Sequence, residues 1–138
     1  MDVSMLIVAD TGTLHVKNAA GEPMYEEGDR TKPIRIILHS PGSPYYATVE
    51  SRQTARVLKR MNDNEGKMTA ATAEEALAER AEDLATLTAS FEYLTDGNKT
   101  GEELFRSVYG NQKLGFIAAQ VTKYLKDWGN FRVEPVTS

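Results

Sequence analysis

Apolar and polar residues alternate with a period of two over residues 13–17 and again over 34–38, then change to spacings of three and four from Tyr46 onward. The first pattern is that of a strand with one buried face, the second that of an amphipathic helix. Turn formers bound both strand segments: Asn18 and Gly21 follow the first, and Gly28, Asp29 and Pro33 precede the second. Met24 and Tyr25 between them suggest a short third strand. A small antiparallel sheet of this kind is marginal alone and needs helices over one face.

Ser40-Pro41-Gly42-Ser43-Pro44 separates the two regimes. Proline disfavours helix in the residue before it, glycine permits positive φ, and Ser43 followed by Pro44 is a natural N-cap and first helical position. The spacing predicts a first helix over 44–61. Tyr46, Val49, Gln53, Val57 and Met61 fall on one side of it, and Arg52, Arg56, Lys59 and Arg60 on the others. Thr72-Ala73-Glu74-Glu75 resembles a capping box and opens a second helix. Its apolar stripe of Leu77, Leu84, Leu87, Phe91 and Leu94 has heptad spacing over fewer than three heptads, which fits packing inside a domain or self-association. A short helix carries Leu104, Phe105 and Val108. A last one, over 112–128, places Leu114, Ile117, Val121, Tyr124 and Trp128 on one stripe.

The predicted class is therefore α+β: a small N-terminal antiparallel sheet or hairpin packed on a mainly helical bundle of about four helices. One domain covers 1–138, with a β-rich part (1–40), a helical part (44–131) and a flexible tail (132–138); residues 131–138 read as loose. A chain of 138 residues is long enough to bury a true core, removing roughly 70% of its unfolded surface from water. Without cysteine it has no disulfide, thiolate nucleophile or Cys-type zinc site, and residues 5–9 are too short an apolar run for a signal peptide or membrane span. A cytoplasmic setting follows.

The net charge of −4 argues against nucleic acid as the main partner. Its distribution is uneven. From Pro41 to Met68 five cations stand against three anions, whereas from Ala70 to Leu104 nine anions stand against two cations. Two readings fit: helix faces that attract each other weakly, or an electrostatic docking surface that speeds encounter with a partner.

No group of residues has the spacing of a catalytic or metal site. His15 and His39 have no carboxylate at a ligand spacing, and the glycines fit no phosphate-cradling loop. Asp10-Thr11-Gly12 matches the aspartic-protease triplet but lacks a second contributing segment, so a turn accounts for it better. Glu75 and Glu79 stand four apart on what reads as an exposed face, where neither pKa would rise. The sequence predicts no catalytic residue, cofactor, metal or small-molecule substrate.

The 34–38 strand, the Ser-Pro-Gly-Ser-Pro turn followed by Tyr45-Tyr46, the Arg-rich helix and the acidic Ala/Leu helix occur in that order. They are followed by a closing block with Thr100-Gly101-Glu102-Glu103-Leu104, Val108-Tyr109, Asn111, Ile117, Gln120-Val121, Lys126-Asp127 and Asn130-Phe131. Over about residues 13–131 this resembles the tail assembly chaperones of long-tailed bacteriophages. The resemblance implies a non-enzymatic protein of the host cytoplasm. It would bind the tape measure protein and tail tube subunits during tail morphogenesis and be absent from the mature virion. It further implies that this chain is the short form of a pair whose longer member arises by a translational frameshift. A head-tail connector or tail-completion protein, or a small nucleic-acid-binding regulator using the first helix, are the competing classes.

A tape measure protein is expected to be long and helical with aggregation-prone apolar stripes, so its chaperone needs a complementary groove or helix face. The apolar candidates for that contact are Leu84, Leu87, Phe91, Ile117, Val121 and Trp128. The charged candidates are Arg52, Arg56, Lys59 and Arg60.

Overall fold

In the computed structural model, which describes residues 1–133, an antiparallel sheet of three strands packs against helices in an α+β arrangement. Strand β2 (Arg35–His39) lies between β1 (Thr11–His15) and β3 (Thr88–Glu92). Alternation along β2 sends Ile36 and Leu38 into the core, fully buried, where Ile36 pairs with Leu14 on one side and Phe91 on the other. On the opposite face Arg35 and Glu92 stand directly across from each other and form an ion pair at 2.6 Å. A register shift falls between Ile37 and Leu38.

Four helices complete the described chain: α1 (Pro44–Asp63), α2 (Ala73–Thr86), α3 (Gly101–Tyr109) and α4 (Gly115–Leu125). The capping signals act as read. Ser43 Oγ accepts from the Tyr46 N–H and Thr72 Oγ1 from the Glu75 N–H, each satisfying a backbone donor that the helix start leaves unpaired. Gly66, with φ of +82°, turns the chain after α1. Gly42 needs no such freedom, because its φ is in the ordinary range and a Cβ there would meet Val8 and Trp128 only at van der Waals distance.

Three expectations are corrected. The heptad seam over 77–94 is not one helix: α2 ends at Thr86, and the segment carrying Phe91 crosses over as β3. The short third strand suggested at Met24 and Tyr25 is only a pair of isolated bridges, Lys17 with Pro23 and Tyr25 with Pro33; the true third strand lies within what reads as the helical part. Threonines decide the exit from α2. Thr86 Oγ1 donates to the Glu82 carbonyl and Thr88 Oγ1 to the Leu84 carbonyl, tying off the helix end, while the open edge of β2 supplies ladder partners to the segment beyond. Finally, Trp128 does not extend the stripe of α4. A separate 3-10 turn, Trp128–Phe131, begins after Leu125, held by the Asp127 carboxylate accepting from the Gly129 N–H and by Asn130 Nδ2 donating to the Tyr124 carbonyl.

Phe131, placed by the sequence in a loose end, is buried in the core with its ring 5.3 Å from that of Tyr124. The Ala9 N–H donates to its carbonyl, and Val8 bridges Arg132. The remainder of the expected flexible tail, 134–138, lies outside the described residues.

Helix α4 closes the outer edge of the sheet. Gln120 acts as a surrogate strand at the end of β1: its Oε1 accepts from the Lys17 N–H and its Nε2 donates to the Lys17 carbonyl, both at 2.8 Å. Tyr124 Oη donates to the Thr13 carbonyl. Covering the backbone groups of an edge strand in this way removes a template for pairing with other chains. On the opposite side, Phe91 of β3 meets Phe105 and Tyr109 of α3 at ring separations of 4.6 and 5.9 Å.

Candidate functional site

The most developed polar arrangement is the contact between α1 and α2. Arginines spaced four apart on α1 reach carboxylates spaced three and four apart on α2, so that successive turns form rungs. Arg56 Nη1 donates to both oxygens of Asp83 (2.9 and 2.8 Å) and Nη2 to Glu82 (2.9 Å). Arg60 pairs with Glu79, and Arg52 donates to Thr86 Oγ1 at 3.1 Å and to Asp83 at 3.4 Å. Asp83 is buried, and Gln53 Nε2 supplies a further donor at 3.2 Å. Burial of the Arg56 guanidinium would by itself lower its pKa. The hydrogen bond and charge of Asp83, and then of Glu82, outweigh that and hold it above the ordinary arginine value.

These contacts matter because α1 has little else to hold it. Of its 20 residues only Val49 is buried, with Tyr46 half-buried against the core, while Val57 and Leu58 are 40% and 55% exposed. The helix stands partly away from the body. Between it, α2 and the end of α4 lies an open groove of about 500 Å³, with Val49, Val57, Ala76, Leu84, Leu87 and Leu125 providing its apolar lining. The charges at its margin are Arg56, Arg60 and their carboxylates, with Glu50, Arg80 and Lys126 beyond them.

No protein-family model matches the chain, and no curated protein or solved structure is similar to it. The site therefore rests on its own geometry.

Of the charged candidates, Arg52, Arg56 and Arg60 face the carboxylates of α2 rather than a free surface; only Lys59 is exposed and without an ion pair among the described residues. The weak mutual attraction of two helix faces, one of the two readings of the charge asymmetry, is thus realised inside the molecule. Glu79, read as solvated beside Glu75, is half-buried because Arg60 folds over it. Among the apolar candidates, Ile117 and Val121 are core residues and present nothing outward, since α4 turns them into the core cluster. Phe91 is half-buried in the aromatic contact with α3. Leu84 and Leu87 are also buried but border the groove, and Trp128 is 55% exposed on a separate turn. The sequence did not single out Asp83, Arg80 or Lys126 as contact residues, although Lys126 belongs to the closing block that carries the resemblance. The excess of anions over 70–104 pointed toward Asp83 as a partner for the basic helix, whereas nothing in the spacing marked the other two.

His15 Nε2 donates to the Met24 carbonyl and its ring stands edge-on to Tyr25. His39 stacks on Tyr45 at 3.7 Å, and burial lowers its pKa. Both are thus engaged structurally. Among the described residues no three His, Asp or Glu side chains gather as a metal site, and no helix is long and apolar enough to cross a membrane.

Proposed function

We propose that the chain is a non-enzymatic phage tail assembly chaperone. It holds the tape measure protein, and with it tail tube subunits, in the host cytoplasm during tail morphogenesis, and leaves before the virion is complete. The observation that carries this reading, beside the sequence resemblance, is the groove between α1, α2 and α4. An open cleft with an apolar floor between helices is the shape into which an amphipathic helix lays its apolar face, and its volume lies in the range of about 300–1,000 Å³ usual for binding sites. Reversible shelter suits a floor of this limited size, since a chaperone must release its client when the tube forms. Leu84 and Leu87 enter this reading as the floor, and Val57 as an exposed wall. Co-expression with the tape measure protein of the same phage tests it: the two should co-purify at moderate salt, with tube subunits joining them. If neither protein is retained, the reading fails.

A further inference from the structure

Two cations at the margin of the groove, Arg80 on α2 and Lys126 just past α4, are exposed and have no ion-pair partner among the described residues. They contrast with Arg52, Arg56 and Arg60, whose guanidinium groups are already occupied by α2 carboxylates. The one anion at the margin without an ion-pair partner among the described residues is Glu50, on the α1 side.

From this pattern we infer that the groove selects an acidic amphipathic helix, one whose apolar stripe is flanked by Glu or Asp side chains that meet Arg80 and Lys126. The inference rests on the chaperone reading and adds to it a charge rule for the client. The apolar contact supplies affinity without regard to sequence. The unpaired cations reject a basic helix, which would bring like charges together over a low-dielectric floor.

Two synthetic model helices of about 18 residues, roughly five turns, provide the test. They share one leucine stripe and differ only in carrying Glu or Lys at the flanking positions, and their binding to the full chain is followed by fluorescence anisotropy. The Glu helix should bind at least about tenfold more tightly, and the double variant R80E/K126E should reverse the order. Both substitutions are at exposed positions, and circular dichroism checks that the fold is retained. Val57→Trp, which fills the groove from its exposed wall, should weaken the Glu helix by a similar factor. Equal affinity for the two helices, a preference that survives R80E/K126E, or indifference to Val57→Trp would each overturn the inference. If the tape measure protein still co-purifies in that event, the chaperone reading stands and only the charge rule falls; if no helix and no tape measure protein binds, both fall.

Discussion

Removing the carboxylate of Asp83 is the sharpest perturbation of the α1–α2 contact. In Asp83→Ala, Arg56 loses both hydrogen bonds from Nη1 but keeps Glu82 at 2.9 Å and Glu79 at 4.0 Å. Arg52 retains Thr86 at 3.1 Å, and the exposed Gln53 turns to water. No cation is left stranded, so the loss should fall below the roughly 3–5 kcal/mol of an isolated buried ion stripped of its partner. It should stand near that of one well-made charge-assisted hydrogen bond with its desolvated neighbours, about 2–3 kcal/mol. Partial burial on both sides, with side chains 16% and 10% exposed, puts the pair well above the 0–1 kcal/mol of surface pairs. For a chain of this size the corresponding fall in Tm is roughly 6–12 °C. Urea unfolding of Asp83→Ala, Arg56→Met and the double variant closes a thermodynamic cycle, whose coupling should be about 1–2 kcal/mol. Hydrogen exchange adds a local readout: amides of α1 should lose protection in Asp83→Ala before those of β2 or α3 do. A destabilisation under about 0.5 kcal/mol, or coupling indistinguishable from zero, would mean that α1 is held by something other than these rungs.

Three further outcomes follow from particular contacts. A Cβ at Gly12 would stand 2.7 Å from Tyr124 Oη and 2.9 Å from the Phe131 ring, so Gly12→Ala should destabilise by about 1–3 kcal/mol in chemical denaturation, and Tyr124→Phe in the same background should restore part of that; an unchanged midpoint would refute the close approach. Thr88 gives its hydroxyl proton to the Leu84 carbonyl at 2.7 Å, so the buried Tyr109 hydroxyl must donate to Thr88 Oγ1 at 2.8 Å; Tyr109→Phe should cost about 1–2 kcal/mol in the same assay, and a stabilised variant would exclude this relay. Burial holds the His39 imidazole below its ordinary 6.5, so the folded state binds this proton less readily than the unfolded chain. Its contribution is complete above pH 6.5 and is lost as pH falls through the lowered folded value; an NMR titration placing His39 at or above 6.5 would contradict this.

What the sequence made legible, and what it hid, divides along one physical line. Elements whose signals are local came through: the β2 alternation, the Ser43-Pro44 start of α1, the Thr72 cap of α2 and the short α3. The segment after Thr86 did not, because Leu87, Phe91 and Leu94 continue a helical spacing that a contact distant in sequence overrides. The edge of β2, some fifty residues earlier, offers the ladder, and Phe91 gains the rings of Phe105 and Tyr109 from α3. The same argument governs the candidate site. Periodicity marks Ile117 and Val121 as an apolar stripe, but a stripe has no label for core or client, and the core claims it first. Charge behaves likewise. The basic run of α1 and the acidic run of α2 were each visible, yet either could have faced outward until their four-residue spacing was seen to match across the helix pair. The groove beside these internal pairings is bordered by Val57, Arg80 and Lys126. None of these forms a pattern along the chain. Val57 stands at the same groove as Arg80 and Lys126 because the arginines hold α1 to α2, so the strength of that clamp bears on the shape of the groove. Loosening it with Asp83→Ala should therefore alter client binding even though Asp83 lies under the guanidinium groups and is nearly closed to solvent.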